Sequence, residues 1–305
     1  PTKQTRKKQL NRLRIGFAYN QKRAVQTTDP STDMEAEFDA PKTLDAIRDA
    51  IRSFGHDVID LEATPDFARK LVEANVDMVF NMSEGIRGRY RESQVPAILD
   101  LMGIPYSGSD PASLAVSLDK ALAKRLVQEE GVPTAKWCVF NNPNEKLPTN
   151  LKFPLIVKPL AEGSSKGVVD TSVVTNEQEL REIVKLITQK YQQSALIEEF
   201  LVGREFTVGL IGEKRPEVLP PMEIVYNNNA KKFPVYSYVH KQDFNHEVSY
   251  VVPAVLDPTL KNEMERLSKK IFKVLGCRDV ARIDLRLDDK GKINFIECNP
   301  LPGLT

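Results

Sequence analysis

Asp284, Glu297 and Asn299 carry side-chain oxygens near the end of the chain. One or two carboxylates, together with phosphate oxygens, suit Mg2+, which keeps several waters and demands octahedral oxygen geometry. Asp284 sits in Arg282-Ile283-Asp284-Leu285, and the other two alternate in Phe295-Ile296-Glu297-Cys298-Asn299-Pro300. Between these runs lies Asp288-Asp289-Lys290-Gly291, whose residues favour a tight turn, so the pair reads as an antiparallel hairpin. Strand side chains alternate, which places Glu297 and Asn299 on one face. A loop with an even number of residues adds Arg282 and Asp284 to that face and turns Ile283, Leu285, Ile296 and Cys298 into a core. An odd loop splits the set. A salt-bridged edge hairpin is the plain alternative. The rigid Pro300-Leu301-Pro302-Gly303 segment that follows favours a site.

A second group of residues suits phosphate. The apolar run Leu155-Ile156-Val157-Lys158-Pro159 carries one lysine, and Glu162-Gly163-Ser164-Ser165-Lys166-Gly167 comes directly after it. Small residues let backbone N–H groups approach an anion closely, and the serine hydroxyls add donors. A flexible turn is the plain reading of such a stretch taken alone, and the strand lysine just before it strengthens the other. Glu198 and Glu205 lie in or at the start of apolar strands on either side of Gly203, where acidic residues are unusual and often hold a specific partner.

The elements that must position these residues follow from periodicity. Residues 13–19, 58–61 and 77–81 read as strands, and residues 43–54 and 66–74 as helices. Short connections between them mean a parallel, doubly wound sheet. No GxGxxG follows the first strand, so dinucleotide binding is not supported. Residues 93–102 and 110–130 read as helices around a short strand at Ile104-Pro105-Tyr106. Helices at 177–189 and 257–275 and strands at 196–200 and 205–209 complete the expectation.

Composition narrows the classes. The chain has 305 residues, room for about two or three domains. Its 43 basic and 42 acidic residues leave a net charge of +1, so no global field draws it to nucleic acid or a membrane. The basic tail from Lys3 to Arg14 reads as solvated. Cys138, Cys277 and Cys298 form no CxxC pair, and the last two read as core thiols. No apolar run is long enough to span a bilayer and no signal peptide is visible, so a reducing cytoplasm is expected.

Taken together, these residues resemble a family. Ile104-Pro105-Tyr106-Ser107-Gly108-Ser109, Asp119-Lys120, Lys158-Pro159, Glu162-Gly163-Ser164-Ser165, Ile197-Glu198, Glu205-Phe206-Thr207-Val208, Arg282-Ile283-Asp284 and Glu297 through Gly303 stand in the order and spacing of D-alanine–D-alanine ligases. These enzymes belong to the ATP-grasp superfamily. The resemblance runs from about Asp77 to the last residue. It implies an α/β chain with an N-terminal Rossmann-like substrate domain (1–108), a central ATP-grasp subdomain (109–198) and a C-terminal one (199–305). It implies ATP and two Mg2+ ions, replaceable by Mn2+, small-molecule amino-acid substrates, and a cytoplasmic enzyme that forms a homodimer.

The resemblance also assigns roles. Lys120, Lys158 and Lys241 would contact ATP phosphates, and the loop 162–167, with Glu162, Gly163, Ser164 and Ser165, would close over them. Residues 236–246 would form a second lid. Glu198 would contact the adenine or the hinge beside it, and Glu205 the ribose. Asp284, Glu297 and Asn299 would hold the metals. Arg282 and the Gly303 amide would stabilise an oxyanion, with Ser164 and Glu37 also serving catalysis. The implied reaction joins a carboxylate to an amine through an acyl phosphate. A non-catalytic nucleotide-binding regulator is the alternative from another class, and the complete metal and lysine set argues against it.

Departures from the family cluster where amino acids bind. Its Gly-rich Ser-x-Glu segment after the first strand is missing, and Glu37 stands in for that glutamate as the ammonium anchor. Its His-Gly after the third strand is Asn81-Met82, and its tyrosine after the loop lysine is Gln242. The family also continues beyond the equivalent of Thr305. ATP-dependent ligation is therefore better supported than D-alanine as the substrate, and another amino-acid or amine pair is the competing reading.

Overall fold

A computed structural model describes residues 12–23, 35, 37–163, 172–227, 233–235 and 248–303. In chain order the first elements are β1 (Arg14–Tyr19), α1 (Pro41–Ser53), β2 (Asp57–Glu62), α2 (Phe67–Ala74), β3 (Met78–Asn81) and α3 (Gln94–Met102). The strands form a parallel sheet in the order β2-β1-β3. Its two faces are both covered. Phe17 and Tyr19 pack with Leu44 of α1, while Ala18 packs with Leu71 of α2 and Leu99 of α3. That double burial explains why β1 reads as an unbroken apolar run rather than an alternating one. Gly16 suits β1, because a Cβ there would come within 2.6 Å of the Leu61 side chain of β2 and force it to move.

The next elements are α4 (Pro111–Leu118), α5 (Lys120–Glu129), β4 (Trp137–Phe140), β5 (Leu155–Pro159), β6 (Val173–Val174), α6 (Glu177–Lys190) and β7 (Ala195–Glu199). Periodicity predicts one helix over 110–130, but the chain breaks it at Asp119. There the backbone turns extended, and the carboxylate accepts from the Leu122 N–H to cap α5. The four strands form an antiparallel sheet ordered β4-β7-β5-β6, and α6 covers it through Leu180, Val184 and Ile187.

The chain then runs through β8 (Glu205–Gly212), β9 (Glu217–Val218), β10 (Met222–Tyr226), β11 (Val248–Val251), α7 (Pro258–Val274), β12 (Asp279–Leu287) and β13 (Ile293–Asn299). These strands make an antiparallel sheet ordered β11-β10-β8-β12-β13, with β9 beside β8. Its core takes Ala123 and Val127 from α5 and Leu267 and Ile271 from α7. The Gly203 bend does not fold β7 and β8 into one hairpin; it carries the chain from one sheet to the next. A Cβ at Gly203 would strike the Leu287 carbonyl, to which its N–H bonds at 3.0 Å. Among the described residues no helix is long and apolar enough to cross a membrane.

Candidate active site

The closing hairpin builds the first half of the site. Asp284 pairs with Glu297 and Arg282 with Asn299, so all four share a face. The loop itself, residues 288–292, is odd. A bulge between Asp284 and Leu285 adds one residue to β13 and restores the alternation. The bulge also corrects one expectation: Phe295, not Ile296, enters the core beside Ile283, Leu285 and Cys298, and Ile296 is only half-buried.

Each polar group on that face has a neighbour. Arg282 donates to Asp284 through Nε at 3.1 Å and Nη2 at 3.0 Å, and the Thr207 hydroxyl of β8 donates to the same carboxylate. The Lys120 ammonium lies 3.3 Å from Glu297. Asn299 Oδ1 accepts from the Leu301 N–H at 2.9 Å and so fixes the Pro-rich turn. Gly303, the last described residue, is exposed. Two carboxylates and an amide oxygen on one strand face, with a cation at its edge, form a donor set that fits a divalent cation carrying phosphate.

The second half is a row of lysines behind that face. Lys120 opens α5, is buried, and donates from Nζ to the Glu162 carbonyl. Lys158 of β5 pairs with Glu198 of β7 at 2.6 Å, and Lys124, one turn after Lys120, pairs with the other oxygen of Glu198 at 2.5 Å. Burial alone would push the Glu198 carboxyl up, but the two ammoniums outweigh it and hold it below the usual range. Glu205 accepts from the Tyr226 hydroxyl at 2.7 Å and pairs with Arg286 at 3.0 Å. Glu198 and Glu205 both face cations of the protein itself.

A third cluster joins the N-terminal sheet to the central one. Glu37 takes Arg91 Nη2 at 2.6 Å and the Gly163 N–H at 2.7 Å. Arg91 also donates to the Ala161 carbonyl at 3.0 Å and to Glu162 at 3.2 Å. Gln193 holds the other oxygen of Glu162 at 2.7 Å. Glu84 and Glu92 approach Glu37, with oxygens of all three within 4.8 Å of one another. Burial first, and the neighbouring carboxylates second, push Glu92 up to about 8 and Glu84 well above its ordinary range.

The structure thus brings Lys120, Glu162, Glu297, Asp284, Arg282 and Asn299 to one place, joins Glu37 to Gly163, and sets Lys158 against Glu198. Ser164, Ser165 and Lys241 lie outside the described residues, as do Lys166 and Gly167 of the 162–167 loop and the 236–246 segment. Sequence reasoning missed Lys124 and Arg91. Lys124 had a legible signal, since it follows Lys120 by four and so shares its helix face. Arg91 had none, because its partners come from residues far away in the chain.

The family described as D-ala D-ala ligase C-terminus matches residues 126–305. A D-alanine–D-alanine ligase of Aquifex aeolicus is 36% identical over 266 residues, covering 87% of this chain and 85% of its own. An uncharacterized protein, y4sG, of Sinorhizobium fredii is 34% identical over 272 residues, covering 87% and 79%. Among solved structures, a D-alanine–D-alanine ligase from Bacillus anthracis complexed with ATP superposes with a TM-score of 0.72 at 23% identity, over 96% of this chain and 88% of its own. The VanG D-Ala:D-Ser ligase from Enterococcus faecalis gives 0.70 at 22% identity, over 96% and 92%. At those identities the two structures establish the mixed α/β fold.

Proposed function

The chain belongs to the D-alanine–D-alanine ligase family and is a ligase of that type, and we propose that it uses ATP to join two amino acids through an acyl phosphate. The observation that carries the reading is the face on which Asp284 stands opposite Glu297 with Lys120 at 3.3 Å. Asp284, Glu297 and Asn299 would hold Mg2+, or Mn2+ in its place, which would neutralise charge on the transferring phosphoryl group. Lys120, Lys158 and Lys241 would bind ATP oxygens, and Ser164 and Ser165 would cover them.

The substrate carboxylate attacks the γ-phosphorus, the bond to the bridging oxygen breaks, and ADP leaves. The amine of the second substrate then attacks the acyl phosphate, loses a proton, and expels phosphate. Arg282 and the Gly303 N–H would face the oxyanion of that second step, where one donor is worth roughly 3 kcal/mol of barrier. Glu198 and Glu205 would border the adenosine. A Rossmann-like N-terminal domain (1–108), subdomains 109–198 and 199–305 each centred on one of the other sheets, a homodimer and a cytoplasmic location belong to the same proposal.

D-alanine is the first substrate to test. A second reading, another amine in the same reaction, is favoured by Glu37, Glu84 and Glu92 gathering beside Arg91. ADP release and product mass decide between them. Dipeptide from D-alanine alone supports the first, ADP release only with other amines supports the second, and no amine-dependent ADP release overturns both.

A further inference from the structure

The lysine that the assigned roles leave over is Lys124. It is fully buried in the middle of α5. Its ammonium lies 2.5 Å from Glu198 Oε1, donates to Thr134 Oγ1 at 2.6 Å, and reaches the Phe295 carbonyl at 3.4 Å. Those partners tie it to β7 of the central sheet and to β13 of the hairpin sheet. Thr134 in turn donates to Phe295 O at 2.9 Å, beside the residue that bulges in β13. Lys124 is therefore fixed from several directions where the two sheets meet.

Lys158 is held differently. Among the described residues its ammonium has one ion-pair partner, Glu198 at 2.6 Å. Glu198 is itself buried, so its charge must stay compensated. If Lys158 were its sole cation, phosphate could recruit Lys158 only by leaving a buried carboxylate bare. With Lys124 already on the other oxygen, Lys158 can exchange Glu198 for a phosphate oxygen while Glu198 stays paired.

The geometry points to Lys124 as a positioning residue: it holds the charge of Glu198 so that Lys158 is available to the nucleotide. This rests on the ATP-binding reading of Lys158 above. Lys124 itself touches no substrate in this scheme. It differs from a merely structural buried ion pair in one respect, that its effect must pass through Glu198.

The test is MgATP binding by calorimetry, with ATP KM and kcat measured alongside, for the wild type, K124M, K124R, E198Q and the K124M/E198Q double variant. K124M is expected to raise the ATP Kd and KM about tenfold or more, since a buried carboxylate left with one cation resists giving it up, and to change kcat at saturation far less. K124R is expected to recover most of the loss. In the E198Q background no carboxylate is left to hold Lys158, so adding K124M is expected to change ATP affinity little. The double variant also keeps the test open if K124M alone fails to fold, because it buries no unpaired carboxylate. Unchanged ATP affinity in K124M, or an equal loss in both backgrounds, overturns the inference while leaving the ligase reading standing. A wild type that binds no MgATP overturns that reading, and the inference falls with it.

Discussion

Asp284 and Glu297 stand directly opposite each other across β12 and β13, and a one-residue bulge keeps them there. The odd turn at 288–292 would otherwise bring Ile296 opposite Asp284 and send Glu297 to the core face. Cross-strand carboxylates this close repel unless a cation lies between or beside them. Lys120 at 3.3 Å from Glu297 and Arg282 at 3.0 Å from Asp284 supply one cation for each carboxylate.

Glu297→Gln removes one negative oxygen from that face and keeps its shape. Mg2+-dependent ADP release is expected to fall by about 100-fold or more, as losing a metal ligand generally costs at least as much as losing its outer partner. Thermal unfolding should move little, because Glu297 is partly exposed. Full Mg2+-dependent turnover in E297Q would remove the metal assignment.

The bulge makes a packing prediction. Phe295 is fully buried and Ile296 is not. Phe295→Ala is expected to cost about 3–5 kcal/mol and Ile296→Ala about 1 kcal/mol. Urea unfolding of the two variants checks the register; comparable losses would mean an unbulged strand with Ile296 in the core.

Arg91 bridges Glu37 and Glu162, with its side chain almost wholly buried. Arg91→Met removes a buried guanidinium from carboxylates gathered with Glu84 and Glu92, and the expected loss is about 3–5 kcal/mol. Arg91→Lys should rescue little, because one ammonium cannot span Glu37, Glu162 and the Ala161 carbonyl as the planar fork does. Chemical denaturation reads both, and a stable R91K would argue against the fork.

Glu92 predicts a pH dependence. Burial and then Glu37 raise its carboxyl to about 8, with Arg91 and Lys120 pulling the other way, and Glu297 and the nearby Glu84 complete its charged surroundings. Between its ordinary value of 4.5 and about 8 the unfolded chain releases a proton that the folded chain keeps. This group's contribution to stability is therefore complete below 4.5 and is lost as pH rises through about 8. Glu92→Gln cannot ionise, so its melting temperature should gain on the wild type as pH climbs and lose that advantage near pH ~5. Parallel melting curves at the two ends of the window that show no pH-dependent difference would refute the assignment.

Much of the site was legible because it is local. Alternation along β13 put Glu297 and Asn299 on one face, and the lysine in an apolar strand marked Lys158, since in both cases the relevant spacing lies within one element. The sequence also determined the parallel opening sheet, through an apolar run and a helical period that recur at short intervals. Tertiary structure decided the rest. The parity of the closing hairpin depended on a bulge next to Phe295, whose backbone meets Thr134 and Pro133 of another segment, which no local pattern encodes. The break at Asp119 depended on a side-chain cap, where continuous helical propensity predicted one helix. Arg91 became the hub of Glu37 and Glu162, and Lys124 the second cation of Glu198, only when distant elements packed together. A buried charge acquires its partner from the fold, because sequence spacing fixes which side chains share a face but not which foreign face comes to meet them.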